Sequence, residues 1–448
     1  MKSIQVDLIR KLLHANAPQR VARALDRLRA ADTAELFAHL SPGETRKLVG
    51  ILLKARRAAA ILVELPDEYL RVVLEILDDQ TVATLLTRLA PDDAVLFIHR
   101  LPEARTPALI ALVPERERAE IERILTYPEG SAGSVMTTRF LALPATARAS
   151  EAIAAIRAQG EQSDQVTYVH VVDEGQHLVG ILPLHRLITA EPDTLASEIM
   201  IKDPACVQGL ADQEEAATLV SRYGLLSLPV VDEQHRMVGL ITIDDIIDVI
   251  NEEATEDMYR MAGLDGEDRV FSTARQSLRR RLPWNVLNLC TAFIAASVVG
   301  LFEHTIGEAV VLATFMPIVA GMGGNTGVQT LTVVTRGIAL GELQFSSGLR
   351  AVLKELGVGL TIGLVMGTIT ALIALAWKGS AVLGLVLVLA MVCNMTIAAL
   401  MGAAIPLFLK AMKKDPALGG GIMLTAFTDT FGFLSFLGLA TLFLSYLR

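Results

Sequence analysis

Five long apolar segments in the C-terminal part of the chain limit what this sequence can fold into. They cover residues 284–302, 309–334, 351–377, 381–409 and 417–447. Each is long enough for a helix to cross a hydrocarbon core of about 30 Å. Hydrophobic residues make up 52% of the 448 residues and charged residues 20%, which fits one membrane half and one soluble half. We therefore predict a multidomain membrane protein whose residues 283–448 form a five-helix transmembrane domain.

Basic residues lie on one side of these predicted spans. The loops at 336–354 and 410–414 are basic, as is the segment before the first span. The turns at 303–308 and 377–380 carry only Lys378 as a fixed positive charge. By the positive-inside rule, we expect a multi-pass protein of the cell membrane with a cytosolic N-terminus and an external C-terminus.

The soluble half is strongly acidic. Residues 1–260 contain 40 of the 49 Asp and Glu and 27 of the 40 Lys and Arg, a net charge of −13, whereas the remainder carries +4. Such a charge would repel the phosphates of a nucleic acid and favours cationic partners. Residues 1–16 lack the apolar core of a signal peptide, so we expect this half to stay in the cytosol.

Residues 1–130 show a weak internal repeat of roughly two dozen residues. Each repeat has a proline followed by acidic residues and an apolar helical pattern; the prolines stand at 18, 42, 66, 91 and 114. Proline and carboxylates suit the first turn of a helix. The pattern predicts an all-α superhelical N domain, in which the acidic pairs are more simply explained as helix caps than as ligands.

Residues 131–250 contain a different, tandem repeat. Two segments of the first copy have counterparts in the second. Val171-Val172-Asp173-Glu174 matches Val230-Val231-Asp232-Glu233, and Val135-Met136 matches Ile199-Met200. Helical and strand patterns alternate within each copy, which predicts an α/β fold. The segment at 228–245 resembles the CBS domain most strongly, so the region looks like a CBS pair, a sensory module that often binds adenosine nucleotides.

The resemblance to CBS domains implies at most one nucleotide site. In the second copy Gly239, Thr242 and Asp245 match the pattern in which a hydroxyl and a carboxylate hold ribose and phosphate. The first copy has Gly180 but lacks the hydroxyl and the carboxylate. ATP at Thr242 and Asp245 is one interpretation; the other makes Thr242 a helix N-cap with Asp245 at the third helical position.

Residues 251–282 begin with a run of acidic side chains and end with three arginines directly before the first span. We interpret this segment as a connecting helix. Its acidic end suits cations and its basic end suits anionic lipid headgroups.

Asp429 is the one charged residue of the last apolar segment. A carboxylate at membrane depth is costly and usually marks an ion path. Thr425 lies one turn earlier and adds oxygen atoms. The glycine-rich run at 321–327, after Pro317, is expected to interrupt or loosen the second span, because irregular backbone at membrane depth is tolerated where it lines a cavity. The alternative is close helix packing, which Gly357, Gly359, Gly363 and Gly367 of the third span serve more clearly.

These residues predict a path for a hard cation. Oxygen ligands without cysteine or histidine suit Mg²⁺, which sheds its water reluctantly and can be bound in hydrated form by one carboxylate per subunit.

The whole chain resembles MgtE-type magnesium transporters. The motifs that carry the resemblance are Pro317, Gly323-Gly324-Asn325-Thr326-Gly327, Arg336-Gly337, Lys354-Glu355-Leu356-Gly357, Asp415-Pro416-Ala417, Asp429 and Gly432. The resemblance implies a homodimeric channel for Mg²⁺ with hydrated Mg²⁺ at Asp429. Gly324, Asn325 and Thr425 are then expected near its path.

The same resemblance implies that cytosolic Mg²⁺ closes the pore by bridging carboxylates of the soluble parts. The candidate regulatory residues are Asp212, Glu214, Asp245, Glu253, Glu256, Asp257 and Asp415. Divalent ions would screen a repulsion that otherwise favours the open state.

Other functions remain open at this point. A broader divalent cation transporter that carries Co²⁺, or a proton-coupled carrier, could also use Asp429. A membrane-bound nucleotide sensor would need two competent CBS copies. An intramembrane protease would need a second catalytic aspartate or a His-Glu metal motif in the spans, and the sequence has neither. We therefore expect a protein without enzymatic activity.

Overall fold

A computed structural model describes residues 3–55, 57–102, 104–159, 167–264, 272–343 and 347–447. The chain divides into two compact units, Met1–Ile250 and Asn251–Arg448.

The first unit begins with a stack of short helices. They are α1 (Ser3–His14), α2 (Pro18–Leu25), α3 (Ala30–Glu35), α4 (Pro42–Leu52), α5 (Ala58–Val63), α6 (Asp67–Leu74), α7 (Asp79–Leu86), α8 (Pro91–His99), α9 (Thr106–Leu112) and α10 (Glu115–Leu125), with a 3₁₀ turn at Leu36–His39. One continuous apolar core runs through the stack, with Phe37 and Phe97 fully buried.

The repeated prolines set the starts of these helices, as the sequence predicts. Pro18, Pro42 and Pro91 occupy the first turn of their helices, and Pro66 and Pro114 are N-caps. A proline costs no hydrogen bond at these positions, because the N–H that it lacks has no partner inside the helix.

Two small α/β subdomains complete the first unit. Their elements are β1 (Ala142–Pro144), α11 (Ala149–Gln159), β2 (Tyr168–Val172), β3 (Leu178–Pro183), α12 (Leu184–Thr189), α13 (Ala196–Ile199), β4 (Ile201–Lys202), β5 (Val207–Gln208), α14 (Gln213–Tyr223), β6 (Ser227–Val231), β7 (Met237–Thr242) and α15 (Ile243–Met261). The strands form one sheet of order β1-β2-β3-β4 and another of order β5-β6-β7.

The two subdomains repeat the same local structure, which confirms the tandem repeat. β1 pairs parallel with β2 and β5 pairs parallel with β6, while β2–β3 and β6–β7 are antiparallel. In both copies an aspartate closes the turn after the first strand of the hairpin. Asp173 accepts the backbone N–H of His177 and Asp232 accepts that of Arg236, each at 2.9 Å.

The second unit holds five helices that are long and apolar enough to cross a membrane, as predicted. Its helices after α15 are α16 (Ala274–Leu301), α17 (Glu303–Glu308), α18 (Val311–Ala339), α19 (Gly348–Lys378), α20 (Ala381–Ala411), α21 (Gly420–Leu442) and α22 (Leu444–Leu447). The predicted connector at 251–282 contains the end of α15 and the start of α16, and its residues 265–271 lie outside the described part of the chain.

The expected interruption of the second span is wrong. α18 is helical from Val311 to Ala339, through Pro317 and the glycines that follow it. Two of these glycines, Gly323 and Gly327, serve close packing instead, whereas a Cβ at Gly321 or Gly324 would meet nothing within 4 Å. A Cβ added at Gly327 would lie 2.8 Å from Leu424 Cδ1 of α21, and the carbonyl oxygen of Gly327 lies 2.6 Å from the position of a Cβ at Gly402 of α20.

Three glycines of the third span bring α19 against α20. A Cβ at Gly359 would lie 2.6 Å from Ala399 Cβ, and one at Gly363 would lie 2.8 Å from Val392 Cα. Gly367 is similarly close to the backbone of α20, whereas a Cβ at Gly357 would meet no described atom of the chain within 4 Å. Small residues let two helix backbones approach where lipid provides no hydrophobic driving force between them.

We expect Gly363→Ala to destabilise the second unit by about 1–3 kcal/mol, because the added methyl meets backbone atoms that cannot rotate away. The matched control is Gly357→Ala on the same helix, which meets no neighbour and should change stability by less than about 1 kcal/mol. Unfolding of the detergent-solubilised protein, followed by circular dichroism, measures both. Equal losses in the two variants would contradict the packing assigned to Gly363.

Candidate functional site

Asp429 lies in the middle of α21 and is partly exposed in the single chain. Within the described residues, its carboxylate has no hydrogen-bond or ion-pair partner. Thr425 and Thr428 turn their hydroxyls to their own helix: Thr425 donates to Gly421 O at 2.9 Å and Thr428 donates to Thr425 O at 3.2 Å. The hydroxyl oxygen of Thr425 keeps lone pairs for a ligand.

α18 and α21 place Asn325 and Asp429 at the same level. Two close contacts connect these helices: Gly327 packs on Leu424, and Gly323 and Gly432 both pack on Asn394 of α20. The contacts occur in opposite order along the two helices, so the helices are antiparallel. They bracket Asn325 on one helix and Asp429 on the other.

The predicted path residues of α18 are accessible in the single chain. Asn325 is exposed and Gly324 is partly exposed, whereas Gly323 and Gly327 are buried against neighbouring helices. Asn325 and Asp429 thus both keep exposed surface in the single chain, whereas the backbone of α18 is helical there and its amides are not free.

Asn394 is a residue that sequence reasoning missed. It is fully buried in α20, and its Nδ2 donates to Val319 O of α18 at 2.8 Å. A single amide in the middle of the fourth apolar segment was the available signal, because polar side chains in spans are costly and usually have a role.

Glu355 is a second buried polar group of the second unit. Its carboxylate accepts a hydrogen bond from Thr330 at 3.2 Å and pairs with Lys354 at 2.6 Å. This arrangement connects α19 to α18 near the basic loop between them.

Four carboxylates meet in the first unit. Burial and the neighbouring Asp93 raise the pKa of Asp92 to about 6, and burial with Asp245 and Asp244 nearby raises the pKa of Asp93 to about 6. Burial and the charge of Asp92 raise the pKa of Asp245 to about 7. The N-terminus of α8 thus faces the N-terminus of α15 with a concentrated negative charge.

Asp92 and Asp93 are therefore more than the helix caps that their sequence context suggested. Their proximity to Asp245 depends on tertiary structure, since about 150 residues separate them along the chain.

The predicted nucleotide residues contact each other. Thr242 is the residue before α15, and its hydroxyl donates to the carboxylates of Asp244 and Asp245. This geometry matches the capping interpretation, in which a hydroxyl and the third helical residue interact at a helix start.

Asp212 caps α14, where it accepts the backbone N–H of Glu214 at 2.9 Å. Both residues had been predicted as regulatory metal ligands, and capping gives Asp212 a structural role of its own.

The remaining candidate carboxylates gather around Arg260, which sequence reasoning also missed. Arg260 forms ion pairs with Glu256 one turn earlier and with Asp415 before α21. Burial and the charge of Asp415 raise the pKa of Asp257. The nearby charge of Glu253 acts to raise the pKa of Arg260. The structure thus brings Glu253, Glu256, Asp257 and Asp415 together around one guanidinium.

The end of α15 also contacts the start of the helix that carries Asp429. The backbone N–H of Gly419 donates to Arg260 O at 3.2 Å, and a Cβ at Gly421 would lie 2.5 Å from Met261 O. A displacement of α15 would therefore act directly on the first turn of α21.

Among the residues that the structure describes, no three His, Cys, Asp or Glu side chains are arranged to hold a metal ion. In both acidic groups, the described side chains concentrate negative charge without such an arrangement.

Five helices that are long and apolar enough to cross a membrane, joined to a helical domain and a CBS pair, define a multi-pass membrane transporter. Residues 316–439 match the divalent cation transporter domain of MgtE, residues 4–130 match the MgtE intracellular N domain, and residues 132–193 and 196–252 match CBS domains.

Curated relatives agree over nearly the full length. The chain is 32% identical to the magnesium transporter MgtE of Bacillus subtilis, covering 94% of this chain and 93% of that protein. It is also 32% identical to the magnesium transporter MgtE of Thermus thermophilus, covering 90% and 97%. The chain belongs to the MgtE family of magnesium transporters.

Solved structures match the soluble half. One is the soluble part of a magnesium transporter, with 26% identity and a TM-score of 0.52 over 57% of this chain and 100% of that one. Another is the cytosolic domain of the Mg²⁺ channel MgtE in complex with ATP, with 29% identity and a TM-score of 0.51 over 55% and 99%.

We expect the fold of the first unit to lose stability as the pH rises from about 5 to 8 without divalent cations, because its acidic group becomes charged. A carboxyl group whose pKa is raised by folding stabilises the fold while protonated, and this contribution is lost as the pH passes the raised pKa. The raised pKa values of Asp92, Asp93 and Asp245 are about 6 to 7, so the stabilisation is lost as the pH rises through that range. The expected loss is about 1–3 kcal/mol.

Limited proteolysis of the full chain at pH 5.5 and 8 measures this effect. Asp245→Asn should reduce the difference between the two pH values, whereas Glu191→Gln, an exposed carboxylate of the same unit, should not. A difference that Asp245→Asn leaves unchanged would contradict the assignment.

Proposed function

We propose that this protein is a Mg²⁺-selective channel that mediates passive Mg²⁺ uptake into the cytosol as a homodimer. The observation that carries this proposal is the partly exposed Asp429 carboxylate, which has no partner among the described residues and lies at the level of Asn325 on an antiparallel helix. A lone carboxylate at this depth is costly unless a cation compensates it.

Hydrated Mg²⁺ fits these ligands better than a dehydrated ion does. Mg²⁺ needs octahedral oxygen coordination and releases its waters reluctantly. One carboxylate and one amide per chain cannot replace six ligands, but they can hydrogen-bond the waters of the ion. A two-fold symmetric dimer would bring a second Asp429 and Asn325 to the same path.

We further propose that cytosolic Mg²⁺ closes the channel. The −13 charge of residues 1–260 and the two acidic groups favour separation of the soluble parts until cations neutralise them. The contact between the end of α15 and the first turn of α21 gives a direct mechanical connection to the helix of Asp429. This gating requires the N-terminus to be cytosolic, as the positive-inside rule predicts.

ATP binding at the second CBS copy is part of the proposal. Thr242 and Asp245 are its candidate ligands, and a similar cytosolic domain has been solved with ATP. Binding would have to break the hydrogen bond between Thr242 and Asp245, so the nucleotide would compete with helix capping.

We expect Asp429→Asn to reduce Mg²⁺ influx into proteoliposomes at least about tenfold, because the neutral amide keeps the shape but no longer attracts the ion. The control is Glu342→Gln, which removes an exposed carboxylate outside the spans. Influx should follow the electrochemical gradient of Mg²⁺ and should not depend on a proton gradient. Full influx through Asp429→Asn would remove the carboxylate from the mechanism, and strict proton dependence would indicate a coupled carrier.

We expect simultaneous neutralisation of Glu253, Glu256 and Asp257 to keep the channel open at high internal Mg²⁺, because the carboxylates that Mg²⁺ would have to bridge to close the pore would be gone from the end of α15. The measurement is influx at low and high internal Mg²⁺. The control neutralises Glu115, Glu117 and Glu122 of α10, three carboxylates on another helix. Closure that is unchanged in the first variant would place the sensor elsewhere.

A further inference from the structure

Asn394 lies where three membrane helices meet. It belongs to α20, and its amide group packs against Gly323 of α18 and Gly432 of α21. A Cβ at Gly323 would lie 2.2 Å from Asn394 Nδ2, and one at Gly432 would lie 2.8 Å from it. Both positions therefore have to be glycine as long as the amide stays where it is.

The amide connects α20 to the backbone of α18. Its Nδ2 donates to Val319 O at 2.8 Å, one turn before Gly323. This hydrogen bond fixes the rotation of the Asn394 side chain, and the two glycines then set how closely α18 and α21 approach it.

Packing alone does not explain an amide at this position. Asn394 Oδ1 is buried and accepts no hydrogen bond within the described residues. An unsatisfied buried acceptor destabilises the fold, and an apolar side chain of similar shape would avoid that cost. An acceptor that is buried without a partner is typical of a residue that serves function as well as packing.

The position of the Asn394 amide relative to the proposed ion path suggests which function it serves. Gly323 is two residues before Asn325, and Gly432 is three residues after Asp429. We propose that Asn394 is a positioning residue of the ion path, whose amide sets the spacing of α18 and α21 and thereby the separation of Asn325 from Asp429. This inference rests on the proposed function, because it concerns the path that those two residues form.

The spacing of ligands determines which hydrated cation fits. Ca²⁺ is larger than Mg²⁺ and accepts flexible geometry, whereas Mg²⁺ demands near-ideal octahedral geometry. A shift between α18 and α21 would therefore affect selectivity between these two ions more than it affects folding.

The test is Asn394→Leu, which keeps the branching at Cγ and removes the hydrogen bond. We expect the purified protein to keep its oligomeric state and its thermal unfolding midpoint. The ratio of Mg²⁺ to Ca²⁺ influx into proteoliposomes should fall about tenfold, in the range seen when groups that orient metal ligands are removed.

The matched control is Thr396→Val on the same helix. The Thr396 hydroxyl donates to Val392 O of its own helix at 2.7 Å, so its loss should leave the influx ratio unchanged. An Asn394→Leu ratio equal to that of the wild type would overturn the inference.

A second set of variants covers the case in which Asn394→Leu does not fold. Gly323→Ala should clash with the amide, and the double variant Gly323→Ala/Asn394→Ala removes the clash. We expect the double variant to recover thermal stability but not the Mg²⁺ to Ca²⁺ ratio. Recovery of both would mean that Asn394 only fills space and would overturn the inference.

Measurements on the wild-type chain distinguish failure of the proposed function from failure of this inference. If it conducts no Mg²⁺, the proposed function fails and the inference fails with it. If it conducts Mg²⁺ and needs Asp429, but ignores Asn394, only the inference fails.

Discussion

Hydrocarbon provides no hydrogen-bond partner for a peptide group, and the second unit is built around that constraint. α18 remains helical through Pro317 and four glycines, because a break there would leave backbone groups unpaired. Under the proposed function, polar groups can then line the cation path only as side chains. Asn325 and Asp429 would have this role, and their two antiparallel helices place them at one depth. Close packing through glycine is what holds these helices in place.

α20 is the centre of this packing. Gly402 lets the backbone of α18 approach closely. Ala399 and Val392 pack against Gly359 and Gly363 of α19. Asn394 adds the polar contact, a hydrogen bond from its side chain to the backbone of α18. Lipid tails are as apolar as leucine, so helix association here depends on van der Waals contact and on such hydrogen bonds. Under the proposed function, the same contacts that stabilise the unit also determine the geometry of the ion path.

Two acidic groups use charge in different ways. Asp92, Asp93 and Asp245 are buried close to one another and have raised pKa values, so protons or cations would offset their repulsion. Glu256 and Asp415 share Arg260, which offsets their charge within the chain. Under the proposed gating, the first group responds to cations directly, and the second connects the response to the start of α21.

The sequence by itself determined the elements and their class. Apolar length determined the five spans, proline spacing determined the helix starts of the first domain, and repeated strand patterns determined the tandem α/β region, because each follows from local geometry and burial. Asp429 stood out since one charge in an apolar segment is costly wherever it folds. Tertiary structure alone decided that the glycines of α18 pack rather than break the helix, that Asp92 meets Asp245, and that Arg260 and Asn394 matter. These outcomes depend on which residues of distant segments come into contact, and a local sequence pattern does not show such contacts.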